Sequence, residues 1–254
     1  MIDLLLIGIG TGDPDHLTLQ AVKALNRAGL ILLPDKGAQK ADLADLRREI
    51  CAAHLTNPAT RIAAVAMPVR DPAAPGYIAG VLAWHDAIAS LWHDTIIAHL
   101  GQTGTVALLV WGDPALYDSS IRIADRLAAR GLAVRVQVIP GLTSVQVLTA
   151  AHATALNELG APFVTTTGRH LREAGFPAGT DTAVVMLDGE CSFLTLPGAQ
   201  FHIHWGAYLG MPQQILMAGT LAEAGPRIAA VRAAARARHG WIMDVYLLRR
   251  FGSS

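Results

Sequence analysis

The sequence predicts an α/β protein built from two domains. Up to residue 157, short apolar runs of strand character alternate with stretches in which apolar residues recur at helical spacing. Beyond residue 157, strand-like runs follow one another with fewer helices between them. We therefore expect residues 1–157 to form an open, mostly parallel sheet, and residues 158–254 to form a smaller, mixed and partly antiparallel sheet.

The first strand of the first domain is expected to be buried on both faces, because residues 4–9 form a continuous apolar run. The following helix has Asp13 or Asp15 available as its N-cap. Pro34 is expected to end the second strand. The predicted strands are residues 4–9, 30–33, 61–68, 105–110 and 134–139, and the predicted helices are 17–25, 41–54, 80–100, 119–129 and 144–155.

The second domain contains one long helix, predicted at residues 226–239, which ends in basic residues and is followed by Gly240 as a C-cap. A second, shorter helix is also expected. The predicted strands are residues 163–167, 183–187, 201–205, 214–220 and 241–248.

Composition excludes several classes of protein. Hydrophobic residues make up 52% of the chain and charged residues 16%, which is not typical of a disordered protein. Lys and Arg number 20, as do Asp and Glu, so no overall positive field attracts nucleic acid, and we expect no nucleic-acid partner. An anionic substrate would therefore depend on a few local basic side chains.

The cysteines and the N-terminus favour a soluble cytoplasmic protein. Cys51 and Cys191 fit neither a zinc motif nor a disulfide framework, so we expect two reduced thiols. The N-terminal residues lack a positively charged region and a cleavage site, and they are typical of a first strand. No apolar run approaches the roughly 20 residues of a membrane span, so no membrane association is expected.

Three glycine turns follow predicted strands. They are residues 8–14 (GIGTGDP), 111–118 (WGDPALYD) and 140–144 (PGLTS). Open α/β sheets bind ligands at the carboxyl ends of their strands, and glycine lets the backbone approach a ligand closely. Each turn taken alone is also typical of a tight connection or a helix cap, so only the set of three favours a ligand site.

The first turn is a poor dinucleotide motif, because its third glycine comes one position too early for G-x-G-x-x-G. Asp35 nevertheless lies near the end of the second strand, where an acid that binds ribose would be expected. A nicotinamide-dependent oxidoreductase is therefore kept as an alternative.

The three turns, in this order and spacing, resemble those of the tetrapyrrole methylase family, whose members have G-x-G-P-G-D, G-D-P-x-x-Y and P-G-x-T/S-S at these places. The segments at residues 17–21, 208–212 and 218–221 are also similar to the family, and the resemblance runs from Ile2 to the region of Arg249. Stretches at residues 110–114, 116–119, 185–190, 205–210 and 241–244 are most similar to members that methylate C-1 of precorrin-5.

The resemblance implies a methyltransferase dependent on S-adenosylmethionine, which converts precorrin-5 to precorrin-6A with loss of acetate in the oxygen-dependent route to cobalamin. Methylation at another position of the macrocycle, or a non-catalytic tetrapyrrole carrier, stays open as an alternative. The family's fold is two α/β domains with a cleft between them that holds the folded cofactor. Many relatives are homodimers, which implies a homodimer here.

The residues implied to bind the cofactor are Thr11, Trp111, Gly112, Asp113, Leu116, Thr143, Ser144, Leu187, Leu209 and Gly210, with Ala218 and Thr220 at the adenine. Two of these positions depart from the family pattern. Thr11 stands where proline is usual, and Trp111 stands where many relatives have glycine. Neither change removes a needed group, because backbone atoms do most of the binding at these positions.

The acid–base candidates implied by the resemblance are Asp35, Lys36, Tyr117 and Glu190. The candidates for substrate binding are Gly8, Gly10, Gly12, Asp13 and His85. Arg122 and Arg169 are further candidates for the carboxylates of the substrate. For each of these side chains a position in a surface loop, a turn or the core is an alternative.

A pair of histidines, His202 and His204, alternates on one predicted strand, so the two side chains share a face. Such a pair can begin a metal site, but the sequence offers no evident third ligand. We expect no metal.

Overall fold

The structure is a computed structural model that describes residues 1–35, 41–71 and 75–251. Its backbone contacts divide the chain into two compact units, Met1–Leu142 and Thr143–Ser254. This division falls earlier than the predicted boundary after residue 157, because the helix at Ser144–Ala151 packs on strands of the second unit.

The first unit contains a five-stranded sheet in the order β3-β2-β4-β1-β5, in which all neighbouring strands are parallel. Its strands are β1 (Ile2–Gly8), β2 (Leu30–Asp35), β3 (Arg61–Ala66), β4 (Gly104–Val110) and β5 (Val134–Ile139). Its helices are α1 (Leu19–Leu25), α2 (Ala41–His54), α3 (Tyr77–Leu100) and α4 (Ser120–Ala128).

The central strand β1 is buried on both faces, as its continuous apolar run predicts. Leu4 and Leu6 pack with residues of α3 and α4 on one side of the sheet. Leu5 and Ile7 pack with residues of α1 and α2 on the other side. The predicted open parallel sheet is therefore confirmed, and helices cover both of its faces.

The second unit contains a mixed sheet in the order β6-β7-β10-β8-β9. Only β6 and β7 are parallel, and the other neighbours are antiparallel, which confirms the predicted mixed sheet. Its strands are β6 (Val164–Thr167), β7 (Thr182–Met186), β8 (Phe201–Ala207), β9 (Ile215–Thr220) and β10 (Asp244–Arg250). Its helices are α5 (Ser144–Ala151), α6 (Gly168–Ala174) and α7 (Leu221–His239).

Several element ends differ from the prediction. Strand β2 continues through Pro34, because the β2–β4 ladder already ends at Leu32 and the missing N–H breaks no bond there. Asp13 caps only the short 3₁₀ helix Pro14–His16, and the N-cap of α1 is Thr18, whose hydroxyl accepts from the N–H of Ala21.

The long helix α7 begins before Pro226 and ends, as predicted, at Gly240, which has φ 74° and donates to the carbonyl of Arg236. Helix α5 ends earlier than predicted, and β10 begins later. Within the described ranges, no helix is both long enough and apolar enough to cross a membrane.

Candidate active site

The three glycine turns meet at one edge of the first sheet. They follow β1, β4 and β5, which are neighbours in the order β4-β1-β5, so their carboxyl ends lie side by side. A Cβ added to Gly8 would lie 2.6 Å from the N atom of Gly141, and one added to Gly141 would lie 2.4 Å from the carbonyl oxygen of Gly112. The backbones of the turns are thus in direct contact, and only glycine fits at these positions.

The first and second turns are also joined by backbone hydrogen bonds. The N–H of Gly112 donates to the carbonyl of Gly10 at 2.8 Å, and the reciprocal bond is 3.4 Å long. Both residues have a positive φ, 75° for Gly10 and 67° for Gly112, which residues other than glycine rarely adopt. This bridge holds the two turns in one conformation.

The carboxylate of Asp113 connects the second turn to the third. Its Oδ1 accepts from the N–H of Ala115 at 2.7 Å, and its Oδ2 accepts from the N–H of Gly141 at 2.9 Å. The nearby Leu116 closes the same turn by donating its N–H to the carbonyl of Asp113. Asp113 therefore organises the backbone of the site.

The side chain of Thr11 is buried beside these turns, with 4% of its surface exposed. Its Oγ1 has no hydrogen-bond partner in the part of the chain that the structure describes. A buried hydroxyl without a partner is uncommon, and a ligand with a polar group would supply one. Trp111 is half-buried against the core formed with α1 and α2.

The remaining members of the first turn have local roles. Gly12 has φ 144°, and Asp13 accepts from the N–H of Asp15 at 2.9 Å. An added Cβ at Gly10 would lie 2.8 Å from the Cβ of His16, which also lies near Asp13. These contacts fix the shape of the turn.

Asp35 is exposed at the end of β2, and its carbonyl accepts from the N–H of Met67 at 2.8 Å. Strand β2 is the neighbour of β4 in the sheet, so Asp35 lies at the same carboxyl edge as the three turns, to one side of them. The other predicted acid–base residue of this segment, Lys36, lies outside the described residues.

Tyr117 follows the second turn with a positive φ of 50° and an exposed fraction of 44%. Partial burial raises the pKa of its phenol above the ordinary value. At neutral pH the phenol is therefore protonated and suited to donate a hydrogen bond, and it is not suited to act as a base.

His85 is buried in α3, with 3% of its surface exposed, and neither ring nitrogen has a hydrogen-bond partner among the described residues. Burial, followed by the positive charges of Arg126 and Arg122, lowers the pKa of its imidazole. The ring is therefore neutral near pH 7.

Sequence analysis missed Arg47, which reaches from α2 to the carboxyl end of β4. Its Nε donates to the carbonyl of Leu109 at 2.9 Å. Burial lowers the pKa of the guanidinium to about 10, and the charge of Asp118 opposes that shift. The available signal was its spacing, because Arg47 lies one turn before the buried Ile50 on the inward face of the helix.

In the second unit, Thr143 and Ser144 form the start of α5. The Thr143 hydroxyl accepts from the N–H of Val145 at 3.2 Å, and the Thr143 N–H donates to the side chain of Gln146 at 2.9 Å. This is a capping box, so the structure gives Thr143 the capping role that sequence analysis considered beside ligand contact.

Leu187 directly follows the carboxyl end of β7, with φ 55° and 66% of its surface exposed. The next residue, Asp188, is 5% exposed and is a structural residue of the loop. Glu190 is exposed, and its carboxylate lies 3.4 Å from a guanidinium nitrogen of Arg172.

Leu209 and Gly210 follow β8. Leu209 is 4% exposed, and Gly210 has φ 79°. Ala218 and Thr220 lie on the neighbouring strand β9, where the Thr220 hydroxyl donates to Glu223 at 3.0 Å. Thr220 pairs with His202 near the amino end of β8 and Ala218 pairs with His204. The structure therefore places Thr220 at the opposite end of this antiparallel pair from Leu209 and Gly210, with Ala218 between them.

The two predicted neighbours His202 and His204 do share a face, with ring centroids 4.6 Å apart. His152 of α5 adds a third ring, 5.2 Å from that of His204. Among the described residues, no group of three His, Cys, Asp or Glu side chains is arranged to hold a metal ion.

This architecture defines an α/β protein of the kind that binds a ligand where glycine turns meet at the edge of a parallel sheet. A family model for Tetrapyrrole (Corrin/Porphyrin) Methylases matches residues 3–225. The chain belongs to the tetrapyrrole methylase family, as its motifs predict. Members of this family use S-adenosylmethionine.

Individual relatives support this membership along the whole chain. Precorrin-6A synthase [deacetylating] from Sinorhizobium sp is 49% identical over 251 residues, which are 98% of this chain and 96% of the relative. The crystal structure of a cobalamin-synthesis-related protein (CobF) from Corynebacterium diphtheriae matches with a TM-score of 0.84 and 41% identity, covering 99% of this chain and all of that one.

A more distant solved structure shares only the fold. It is the uroporphyrin-III C-methyltransferase from Thermus thermophilus in complex with S-adenosylhomocysteine, with a TM-score of 0.59 and 19% identity over 97% of each chain. The family membership favours a methyltransferase over the nicotinamide-dependent oxidoreductase that the Gly-rich first turn left open.

Proposed function

We propose that this protein is the deacetylating C-1 methyltransferase that converts precorrin-5 to precorrin-6A in aerobic cobalamin biosynthesis. The observation that carries the proposal is the 49% identity to a precorrin-6A synthase over nearly the full length of both chains. The three glycine turns support it, because they lie together at the carboxyl ends of neighbouring parallel strands, where α/β sheets bind ligands.

S-adenosylmethionine supplies a methyl group on a positively charged sulfur, which a nucleophilic carbon can accept. The residues around the turns fit such a cofactor, since the buried hydroxyl of Thr11 has no partner among the described residues, and Gly8 and Gly141 leave no room for side chains. Methyl transfer needs orientation and exclusion of water more than acid–base help. Backbone turns of fixed shape supply that orientation.

Loss of the acetyl group requires more from the side chains. Water adds to the acetyl carbonyl, a base removes a proton from the hydrate, and cleavage of the carbon–carbon bond releases acetic acid. The electron pair left on the conjugated macrocycle then attacks the methyl group. Asp35 and Glu190 are exposed carboxylates suited to act as the base, and Tyr117 is suited to donate to the developing oxyanion.

The test is incubation of the purified protein with precorrin-5 and methyl-labelled S-adenosylmethionine, followed by mass spectrometry and an acetate assay. We expect label in the macrocycle and one acetate for each methyl group transferred. Label without acetate would indicate another methylation position within the family. No transfer and no binding of S-adenosylhomocysteine would indicate a non-catalytic tetrapyrrole carrier.

We also propose that the protein works in the cytoplasm as a homodimer and without a metal. Its cysteines, Cys51 and Cys191, are free thiols, which supports a reducing compartment. Strand β5 lies at the edge of its sheet with Val136 and Val138 more than one-third exposed, which supports contact with a second copy. Light scattering after gel filtration tests the dimer, and activity after treatment with a chelator tests the independence from metal.

A further inference from the structure

The loop after β7 has an unusual backbone. Leu187 and Cys191, at its two ends, have positive φ values of 55° and 54°, although neither is glycine. Such a conformation is unfavourable for a residue with a side chain, and it persists where the surroundings enforce it. The side chain of Leu187 is also 66% exposed.

A buried carboxylate, that of Asp188, fixes the inside of this loop. Its Oδ1 accepts from the N–H of Glu190 at 3.0 Å and from the hydroxyl of Ser192 at 2.8 Å. Its Oδ2 accepts from the N–H of Ser192 at 2.6 Å and from the hydroxyl of Tyr246 at 2.7 Å. Both oxygens are therefore fully used by donors that surround the loop.

The carbonyl groups of the same loop are held by a buried arginine. Arg232 donates to the carbonyl of Asp188 at 2.8 Å and to that of Gly189 at 3.4 Å. The guanidinium is itself held by Asp244, whose Oδ2 accepts from it at 2.9 Å and also accepts from the Nε1 of Trp205 at 2.9 Å. Only 9% of the Arg232 side chain and 5% of the Asp244 side chain are exposed.

The loop is packed tightly from the side of β6 as well. A Cβ added to Gly168, which follows that strand, would lie 2.4 Å from the carboxyl carbon of Asp188. Since β6 and β7 are parallel, this contact lies at their shared carboxyl edge. The hydrogen bonds of its carboxylate, the hydrogen bond to its carbonyl and the close packing against Gly168 therefore all fix Asp188, while the preceding Leu187 stays exposed.

We propose that Asp188 is a positioning residue, which holds Leu187 in its strained, exposed conformation so that Leu187 contacts the adenosyl part of S-adenosylmethionine. This rests on the proposed function, because the ligand is the cofactor of that reaction. A network that served only to stabilise the fold would need no exposed apolar side chain beside it, whereas Leu187 is held exposed at the carboxyl end of β7, in the parallel pair β6–β7. The carboxyl ends of parallel strands are where α/β sheets bind ligands.

Two variants of the network and one control test the proposal. Asp188→Asn replaces one acceptor oxygen by a donor, and Tyr246→Phe removes one donor while keeping the ring that packs against Phe193. The control is Thr180→Val, which removes buried hydrogen bonds of a similar kind before the amino end of the same strand. Each protein is measured for unfolding temperature, Kd for S-adenosylhomocysteine, and KM and kcat with S-adenosylmethionine.

We expect Asp188→Asn to raise the Kd and the KM by about tenfold or more, with a smaller change in kcat. Tyr246→Phe should raise both constants by about two- to fivefold, and it decides the question if Asp188→Asn does not fold. Thr180→Val should lower the unfolding temperature and leave both constants within about twofold of wild type. Amide hydrogen exchange at Glu190 and Ser192 should be faster in the two network variants only.

Faster amide exchange in the loop of Asp188→Asn or Tyr246→Phe, with an unchanged Kd for S-adenosylhomocysteine, would overturn the proposal. A rise in Kd for Thr180→Val as large as that for the network variants would also overturn it. Wild-type protein that binds S-adenosylhomocysteine, with variants that bind it equally well, refutes the positioning role alone. Wild-type protein that binds no S-adenosylhomocysteine refutes the proposed function, and the positioning role with it.

Discussion

The carboxylate of Asp113 accepts the backbone N–H of Gly141 at 2.9 Å, which connects the turn after β4 to the turn after β5. The same carboxylate accepts from the N–H of Ala115, so both of its oxygens are bonded to backbone. A charged acceptor forms stronger hydrogen bonds with N–H groups than a neutral one does. The shape of the candidate active site therefore depends on the charge of one side chain.

Replacement of Asp113 by alanine should weaken cofactor binding. Without the carboxylate the N–H groups of Ala115 and Gly141 lose their acceptor, and the two turns are free to separate. Leaving such groups unpaired costs about 1–3 kcal/mol, so we expect the Kd for S-adenosylhomocysteine, measured by calorimetry, to rise about 5- to 150-fold. An unchanged Kd would exclude Asp113 from the site.

Replacement of Gly141 by alanine should disrupt the contact between the second and third turns, because the added methyl group has no room there. The new Cβ would lie 2.4 Å from the carbonyl oxygen of Gly112, and backbone atoms cannot yield as a flexible side chain can. We expect a loss of about 1–3 kcal/mol in the free energy of unfolding, measured with urea, and a rise in Kd of about tenfold or more.

Gly29→Ala is the matched control for Gly141→Ala. The nearest atom to a Cβ at Gly29 is the carbonyl oxygen of Thr105 at 3.7 Å, an ordinary contact. That variant should stay within about 0.5 kcal/mol of wild type. Equal effects of the two substitutions would show that crowding between the turns is not the cause.

The fold could be predicted in detail because its signals are local. The strand at Val134–Ile139 and the helix at Ala41–His54 have the predicted limits, and the strand ends at the Pro140 that follows it. The ends of strands and helices were predicted less well where packing decides them. Pro34, for example, stays within β2, because the pairing of β2 with β4 ends at Leu32 and the nitrogen of Pro34 therefore has no hydrogen bond to donate on that side.

The candidate site could be predicted only in part. The glycine turns are visible in the sequence, because close backbone approach demands glycine. The bond from Gly141 to Asp113 and the four donors around Asp188 are not visible, because they join residues that only the tertiary structure brings together. The sequence therefore predicts a contact of Asp113 with the cofactor, but it does not predict the bond of Asp113 to Gly141.

Thr11→Val should separate cofactor binding from stability. The Thr11 hydroxyl is buried and has no partner among the described residues, so valine should leave the free energy of unfolding unchanged or raise it by up to about 1 kcal/mol. If the cofactor supplies the missing partner, the Kd for S-adenosylhomocysteine should rise several-fold. Thermal unfolding with and without ligand measures both effects. A stability loss equal to that of Thr180→Val, whose hydroxyl has partners, would contradict the prediction.

The histidine cluster of the second unit should make stability depend on pH. Burial, then the neighbouring His202, His152 and Arg249, lowers the pKa of His204 from 6.5 to about 4. Arg249 in turn forms an ion pair with the carboxylate of Glu158, at 3.2 Å. Between pH 6.5 and about pH 4, His204 of the unfolded chain binds a proton that His204 of the folded chain does not bind. The free energy of unfolding should therefore fall as the pH falls through this window.

His204→Phe keeps a ring beside His152 and removes the titrating group, so the free energy of unfolding should change less steeply between pH 4 and 6.5. His170 is exposed on α6, and the same substitution there should leave the slope as in wild type. Urea unfolding at a series of pH values measures all three slopes. Because other groups titrate in the same range, the difference between the slopes, and not their absolute size, isolates His204. Identical slopes for wild type and His204→Phe would mean that the imidazole titrates equally in the folded and unfolded chains, and that the ring cluster does not exclude the proton.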